Sequence, residues 1–205
     1  DLLPGRAAAS RTVGSPQIRN RGTVAGNLGS ASPAGDAHPP LLSSGARVVV
    51  ESVRGRREVP VAEFFTGVKR NVLEPDELIR EVHVPAAAGP QQFAKIGTRN
   101  AMVIAVASFG LALDAGARRV GTGIGSAAPT PRTAPDAEDL VSAELDWTGG
   151  TAPGEDVVRR FGELVAQAAD PIDDVRGSAA YRRHALAVMA RRTLDWAWAD
   201  YRERW

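Results

Sequence analysis

Apolar and polar positions alternate in short stretches through the first half of this chain and recur at helical spacing towards its end. Ala46–Val53 (ARVVVESV) is β-branched and reads as a strand. Gly55, flanked by arginines, makes a turn, and Arg57–Val61 reads as the hairpin partner, with Pro60 near an edge or an end. Val61–Gly67 reads as a short helical turn closed by glycine. Leu73–Pro85 joins a turn to a strand in which Ile79, Val82 and Val84 break strict alternation, the mark of a bulge or a buried approach. Val103–Asp114 is apolar on both parities, as in a well-buried strand or a helix-free central segment, and Arg119–Gly125 follows as its hairpin partner. Gly121, Gly123 and Gly125 lack the spacing and the following helix of a dinucleotide fold, so they read as places of close packing.

The last third is helical. Glu155–Ala169 spaces Val157, Val158, Phe161, Leu164 and Val165 along one face, with acids at the positive end of the helix dipole. Gly177-Ser178 caps a long helix with Tyr181, Leu186, Val188, Met189, Leu194 and Trp198 on one side. Arg182, Arg183, Arg191, Arg192 and Asp195 fall on the rest. Trp196, Trp198 and Trp205 crowd the tail, either as helix core or as a patch meeting another chain. At the start, Pro4–Val13 holds helix-forming residues with few apolar positions.

One stretch departs from both patterns. Ser15–Leu42 (SPQIRNRGTVAGNLGSASPAGDAHPPLL) is almost free of bulky apolar side chains. Gly22, Gly26, Gly29 and Gly35 permit positive φ and close approach, and Thr23, Asn27, Ser30 and Ser32 add hydroxyl and amide groups beside backbone donors. That is the equipment of a phosphate cradle, although a solvated loop shares the composition. Pro39-Pro40 is expected to stop any helix, after which Leu41-Leu42 re-enters a core.

At 205 residues the chain can bury a real core, and 25 basic against 24 acidic side chains give no bulk charge to attract nucleic acid. There is no cysteine, so disulfides, thiol chemistry and thiolate-held iron–sulfur clusters are excluded from this chain. Three histidines, His38, His83 and His184, have no metal-ligand spacing. No apolar run is long enough to span a membrane and the acidic N-terminus lacks a signal peptide's features, so a cytoplasmic protein is the expectation.

The order of residues from Ile18 to Leu42 resembles the second flavin-binding loop of the molybdenum hydroxylases, the family of carbon monoxide dehydrogenase medium subunits and xanthine dehydrogenases. There the segment reads approximately IRN-x-GT-[IV]-GGN, small residues, then SP-x-x-D-x-x-P, and Ala25 replaces the first glycine of its pair. Leu73–Pro85 is similar to the family's L-x-P-x-E-[LI]-[LI]-x-x-[VI]-x-[VI]-P, and Phe93–Arg99 to its F-x-K-x-x-x-R. IGSAAPTPRTA and GSAAYRRHALAVMARRTL resemble further family segments, so the likeness runs through nearly the whole chain.

The resemblance implies an α+β fold. The C-terminal part of a PCMH-type FAD-binding domain is expected over 1–85, a linker over 86–91, and a C-terminal α+β domain of antiparallel sheet and helices over 92–205. The family's first flavin loop, an AGGT-like motif, does not occur in these 205 residues, so the N-terminal part of the flavin domain is expected to be lacking. The implied cofactor is FAD. Thr23, Val24, Ala25, Gly26, Asn27 and Ser30 would surround its diphosphate, and Asp36 would accept hydrogen bonds from the ribityl chain or ring edge. Leu78 and Ile79 would wall the isoalloxazine or simply fill strand core. Lys95 would sit at the flavin edge, where a cation favours a reduced, anionic flavin, or would be an ordinary surface lysine.

No catalytic acid–base pair and no metal ligand is expected in this chain. The implied function is electron transfer in a molybdopterin-dependent hydroxylase or dehydrogenase. Electrons would come from a 2Fe-2S small subunit, whose own source is a molybdopterin-binding large subunit, and leave FAD for an acceptor such as NAD, oxygen or a quinone. The alternative is a noncatalytic assembly or scaffold module with weak or lost FAD binding.

Overall fold

A computed structural model describes residues 2–204, so Trp205 lies outside the described residues. Four short helices open the chain: α1 (Pro4–Ser10), α2 (Pro16–Arg21), α3 (Val24–Gly29) and α4 (His38–Ser43). In α1, α2 and α4 a proline occupies the first turn, where its missing N–H would have had no intrahelical partner. Pro39-Pro40 therefore begins a helix, correcting the expectation that it stops one. A second correction concerns the glycine-rich stretch. Positive φ among glycines falls on Gly14, Gly45, Gly55 and Gly150, whereas Gly22, Gly26, Gly29 and Gly35 avoid it.

β1 (Arg47–Ser52) and β2 (Gly55–Pro60) form the expected hairpin; α5 (Val61–Phe64) and the ribbon β3 (Phe65–Gly67) with β4 (Arg70–Asn71) follow. The helical turn ends at Phe64, before the glycine, because Phe65 already pairs in the ribbon. β5 (Leu78–His83) then returns antiparallel to β1, giving the sheet order β2-β1-β5. The β1–β5 register passes from Val49↔Glu81 to Val50↔Ile79, so Arg80 is the extra residue of a bulge. Leu28, Leu41, Val48, Val50, Phe64 and neighbours form one apolar cluster around this sheet.

The second antiparallel sheet runs β6 (Gln91–Ile96), β7 (Ala107–Asp114), β8 (Arg119–Gly125). β7 is buried on both faces, which explains its unbroken apolar run. Helices α6 (Pro135–Glu144), α7 (Glu155–Ala168) and α8 (Ala179–Arg204) supply one cover. Phe109, Leu111, Leu113, Phe161, Leu186 and Leu194 lie at the centre of that cluster. α4 supplies the other: Cβ atoms on Gly110, Gly121 or Gly123 would run into the backbone of Pro39 or Ser43. Helix and sheet thus meet backbone to backbone, and α4 is locked in place.

Ser178 Oγ accepts from Tyr181 N–H at 3.1 Å, capping α8 as its sequence predicts. Leu186, Met189, Leu194 and Trp198 are buried, but Tyr181 and Trp196 are half exposed. Arg182, expected on the polar side, is only 3% exposed, because the loops at the sheet end close over it. α6 has no counterpart in the periodicity reading; its apolar contacts are small, resting on Ala137 and Val141.

Candidate functional site

α1, α2 and α3 wall a cavity of about 470 Å³. Thr23 caps α3, its Oγ1 accepting from Gly26 N–H at 2.9 Å. The Val24 and Ala25 N–H groups, at the first positions of the helix, are then left without intrahelical partners. Asn27 lines the cavity, and its Oδ1 is buried without a partner among the described residues. Gly22 and Gly26 keep the wall low, and Arg19 and Arg21 bring positive charge to it. Arg19 is itself anchored, donating to the Val13 and Gly14 carbonyls at 3.0 and 2.7 Å. One fixed cation, a second arginine beside it, free N–H groups and an unpaired amide oxygen together suit a ligand that carries both anionic oxygens and hydroxyl donors.

The far end of the α3–α4 loop is organised around Asp36. Lys95 Nζ lies 2.5 Å from Asp36 Oδ2, Thr12 Oγ1 lies 3.0 Å from the same oxygen, and Lys95 also donates to the Thr12 carbonyl at 3.3 Å. Burial pushes the Asp36 carboxyl up, and Lys95 and Thr12 draw it back down. Asp36 Oδ1 is buried without a partner among the described residues, and the residue is not among those lining the α1–α3 cavity. Its carboxylate is thus turned to Lys95, where the expectation had it accepting hydrogen bonds from the ribityl chain or ring edge of FAD; a buried carboxylate is held where a cation meets it. Lys95 in turn borders a second cavity of about 390 Å³, which shares Arg19 with the first and is lined also by Arg11, Gly97 and Arg99.

Beneath α3 lies His38, wholly buried, with Nε2 3.2 Å from the Asn27 carbonyl. Its ring takes the space a Cβ on Gly35 would fill and tilts against Phe65 at 4.6 Å. Burial lowers its pKa to about 4, against the pull of the Asn27 and Ser32 carbonyls, so the imidazole is neutral at pH 7. Ile79 comes up to α3 from β5, 3.9 Å from where a Cβ on Gly29 would stand, and Leu78 beside it is 59% exposed.

Two family descriptions cover this chain. Residues 1–87 match the FAD binding domain in molybdopterin dehydrogenase, and residues 92–197 match the CO dehydrogenase flavoprotein C-terminal domain. The carbon monoxide dehydrogenase medium chain of Hydrogenophaga pseudoflava is 32% identical over 96% of this chain and 68% of its own length. The chain belongs to the FAD-binding medium subunits of the molybdenum hydroxylases. The nicotine 6-hydroxylase medium subunit of Paenarthrobacter nicotinovorans is 31% identical over 94% of the chain and 66% of its own length. A solved structure of carbon monoxide dehydrogenase from Hydrogenophaga pseudoflava superposes with a TM-score of 0.83 at 28% identity, over 97% of this chain and 68% of the matched one. The chain thus spans about two thirds of the length of these medium subunits.

Within this medium-subunit fold, Thr23, Val24, Gly26, Asn27 and Ser30 meet at one cavity wall, and Ala25 lies in the same helix. Lys95 and Asp36 meet each other behind it, and Leu78 and Ile79 stand on the adjacent strand, outside both cavities. Sequence reasoning missed Arg19 and Arg21 as wall residues, although both lie inside the matched loop, where a basic pair next to glycine was the available signal. It also missed His38 and Asn71, whose Nδ2 donates to the Gly29 carbonyl at 2.9 Å. His38 falls at an unspecified position of the loop pattern and Asn71 outside any motif, and only the fold brings them to α3.

Proposed function

We propose that this chain carries FAD for a molybdopterin-dependent hydroxylase or dehydrogenase, receiving electrons from a 2Fe-2S partner and passing them to an acceptor such as NAD, oxygen or a quinone. The single observation that supports it most is the α1–α3 cavity, with its unpaired Asn27 Oδ1, free α3 N–H groups and Arg19 and Arg21 alongside. FAD would supply the redox chemistry, accepting and releasing electrons one or two at a time. In this reading the Val24 and Ala25 N–H groups and the Thr23 hydroxyl hold diphosphate oxygens, Gly26 leaves room for their approach, and Asn27 Oδ1 accepts from a hydroxyl. Ser30 Oγ, which donates to the Asn27 carbonyl at 2.8 Å, keeps that turn in shape. Leu78 and Ile79 offer an apolar shoulder to a ring, and Lys95, held by Asp36, places a cation near its edge. The chain has no cysteine, so the iron–sulfur clusters of the relay belong to partner subunits.

A second reading has one observation in its favour: Asp36 is paired with Lys95 and gives the cavity no carboxylate oxygen. It makes the chain an assembly module that binds flavin weakly or not at all. FAD titrated into the purified chain separates the two. Saturable quenching of flavin fluorescence and a yellow protein after gel filtration support the carrier. A colourless chain that ignores FAD yet still co-purifies with its partner subunits supports the module.

A further inference from the structure

α3 is only six residues long, so its last carbonyls depend on side chains outside the helix. Asn71 takes the Gly29 carbonyl, and the Asn27 carbonyl receives Ser30 Oγ from the exposed side and His38 Nε2 from the buried side. A carbonyl only accepts, so the contact with Asn27 is a hydrogen bond in the tautomer that carries its proton on Nε2 and the lone pair on Nδ1. Nδ1 is buried without a hydrogen-bond partner among the described residues, and the Ser32 carbonyl is the other acceptor acting on the ring. His38 is also the first residue of α4, whose backbone is pressed against the β7–β8 glycines. The imidazole therefore joins a fixed helix to the one whose Asn27 side chain lines the cavity.

We propose that His38 is a positioning residue for the ligand wall: its Nε2–H, given to the Asn27 carbonyl from below, sets the height and tilt of Asn27 at the α1–α3 cavity. His38 touches no ligand and acts through Asn27. The effect on flavin rests on the FAD reading above; the effect on α3 does not. Glutamine and asparagine separate the donor from the packing, since a glutamine amide nitrogen falls near the place of Nε2 and an asparagine amide near that of Nδ1, short of the carbonyl.

The test compares wild type, His38→Gln and His38→Asn in the purified full chain, by FAD titration and by amide hydrogen exchange over residues 24–31. His38→Asn is expected to weaken FAD binding about tenfold and to speed exchange about tenfold, the usual effect of leaving a buried carbonyl short of a donor. His38→Gln should restore both to within about twofold of wild type. Equal exchange in wild type and His38→Asn would overturn the proposal, and so would a glutamine variant as impaired as the asparagine one. A wild type that binds no FAD would sink the flavin reading, while the exchange data still decide for His38. Nitrogen-15 NMR of the wild type needs no variant: the three histidines are readily assigned, and finding His38 protonated at Nδ1 instead of Nε2 would overturn the proposal outright.

Discussion

Lys95 on β6 and Asp36 before α4 close to 2.5 Å, with 10% and 7% of their side chains exposed. The pair fastens the glycine-rich loop to the second sheet, and Thr12 adds the α1–α2 turn to the same oxygen. Two desolvated charges of this kind contribute little net stability, yet neither tolerates losing the other.

Lys95→Met should therefore cost about 3 kcal/mol in urea unfolding, because it strands a buried carboxylate. The double variant Lys95→Met with Asp36→Asn should recover most of that loss. A double variant as unstable as the single one would show that the lysine acts through packing alone.

The seat of α4 gives a second expectation. Gly123→Ala drives a methyl into the Pro39 backbone, which cannot swing aside as a flexible side chain would. A loss of about 2 kcal/mol or more is expected, read as a lowered thermal midpoint. Gly149→Ala serves as the comparison, since there the nearest atoms belong to the exposed Asp146 side chain, and yielding costs at most its hydrogen bonds to the Gly149 and Thr151 N–H groups. A Gly123→Ala variant that melts with wild type would contradict the close approach.

How much of this was legible beforehand follows from what each residue contacts. β7 and β8 were readable because burial on both faces leaves only apolar or small residues there, and the glycines of β8 read correctly as packing sites. α7 showed its Phe161 and Val165 stripe, and α8 its Ser178 cap. The glycine-rich loop was legible by family likeness and misread in conformation, since Thr23 caps a short helix whose glycines keep negative φ where positive φ was expected. α4 hid behind Pro39-Pro40, because proline breaks a helix interior but suits a first turn. Arg182 and His38 were illegible for another reason: a buried polar side chain is decided by partners far away in sequence, here Val106, Ser126 and Asn27.

Acid should weaken the fold through His38. Its folded pKa, about 4, lies below the unfolded 6.5, so between those values the unfolded chain binds more protons. The contribution is complete above pH 6.5 and is lost as pH falls towards 4. It amounts to about 2 kcal/mol between pH 7 and pH 5. Asp36 acts in the opposite sense just above its ordinary 3.8, because burial raises it. Urea unfolding of wild type and His38→Gln across pH 5–7 isolates the histidine: the variant should lack that slope, and parallel curves would refute the assignment.

Arg182 carries the last expectation. Its Nη1 donates to the Val106 and Ser126 carbonyls at 2.8 and 2.6 Å, and its Nη2 to Asp174 Oδ1 at 2.6 Å. Ser126 holds a φ of 60°, strained for a residue with a Cβ, and its own N–H donates to the Pro33 carbonyl at 2.8 Å. One residue thus separates the guanidinium from the loop that ends in Asp36. Arg182→Lys keeps the charge but replaces a rigid fork with a single nitrogen, which cannot serve three acceptors in those directions. The expected loss is about 3 kcal/mol in urea unfolding, together with faster amide exchange at Ser126. If lysine proved as good as arginine in both measurements, charge alone would suffice at this position, and the forked geometry would have no part in holding the Pro33 loop to the sheet.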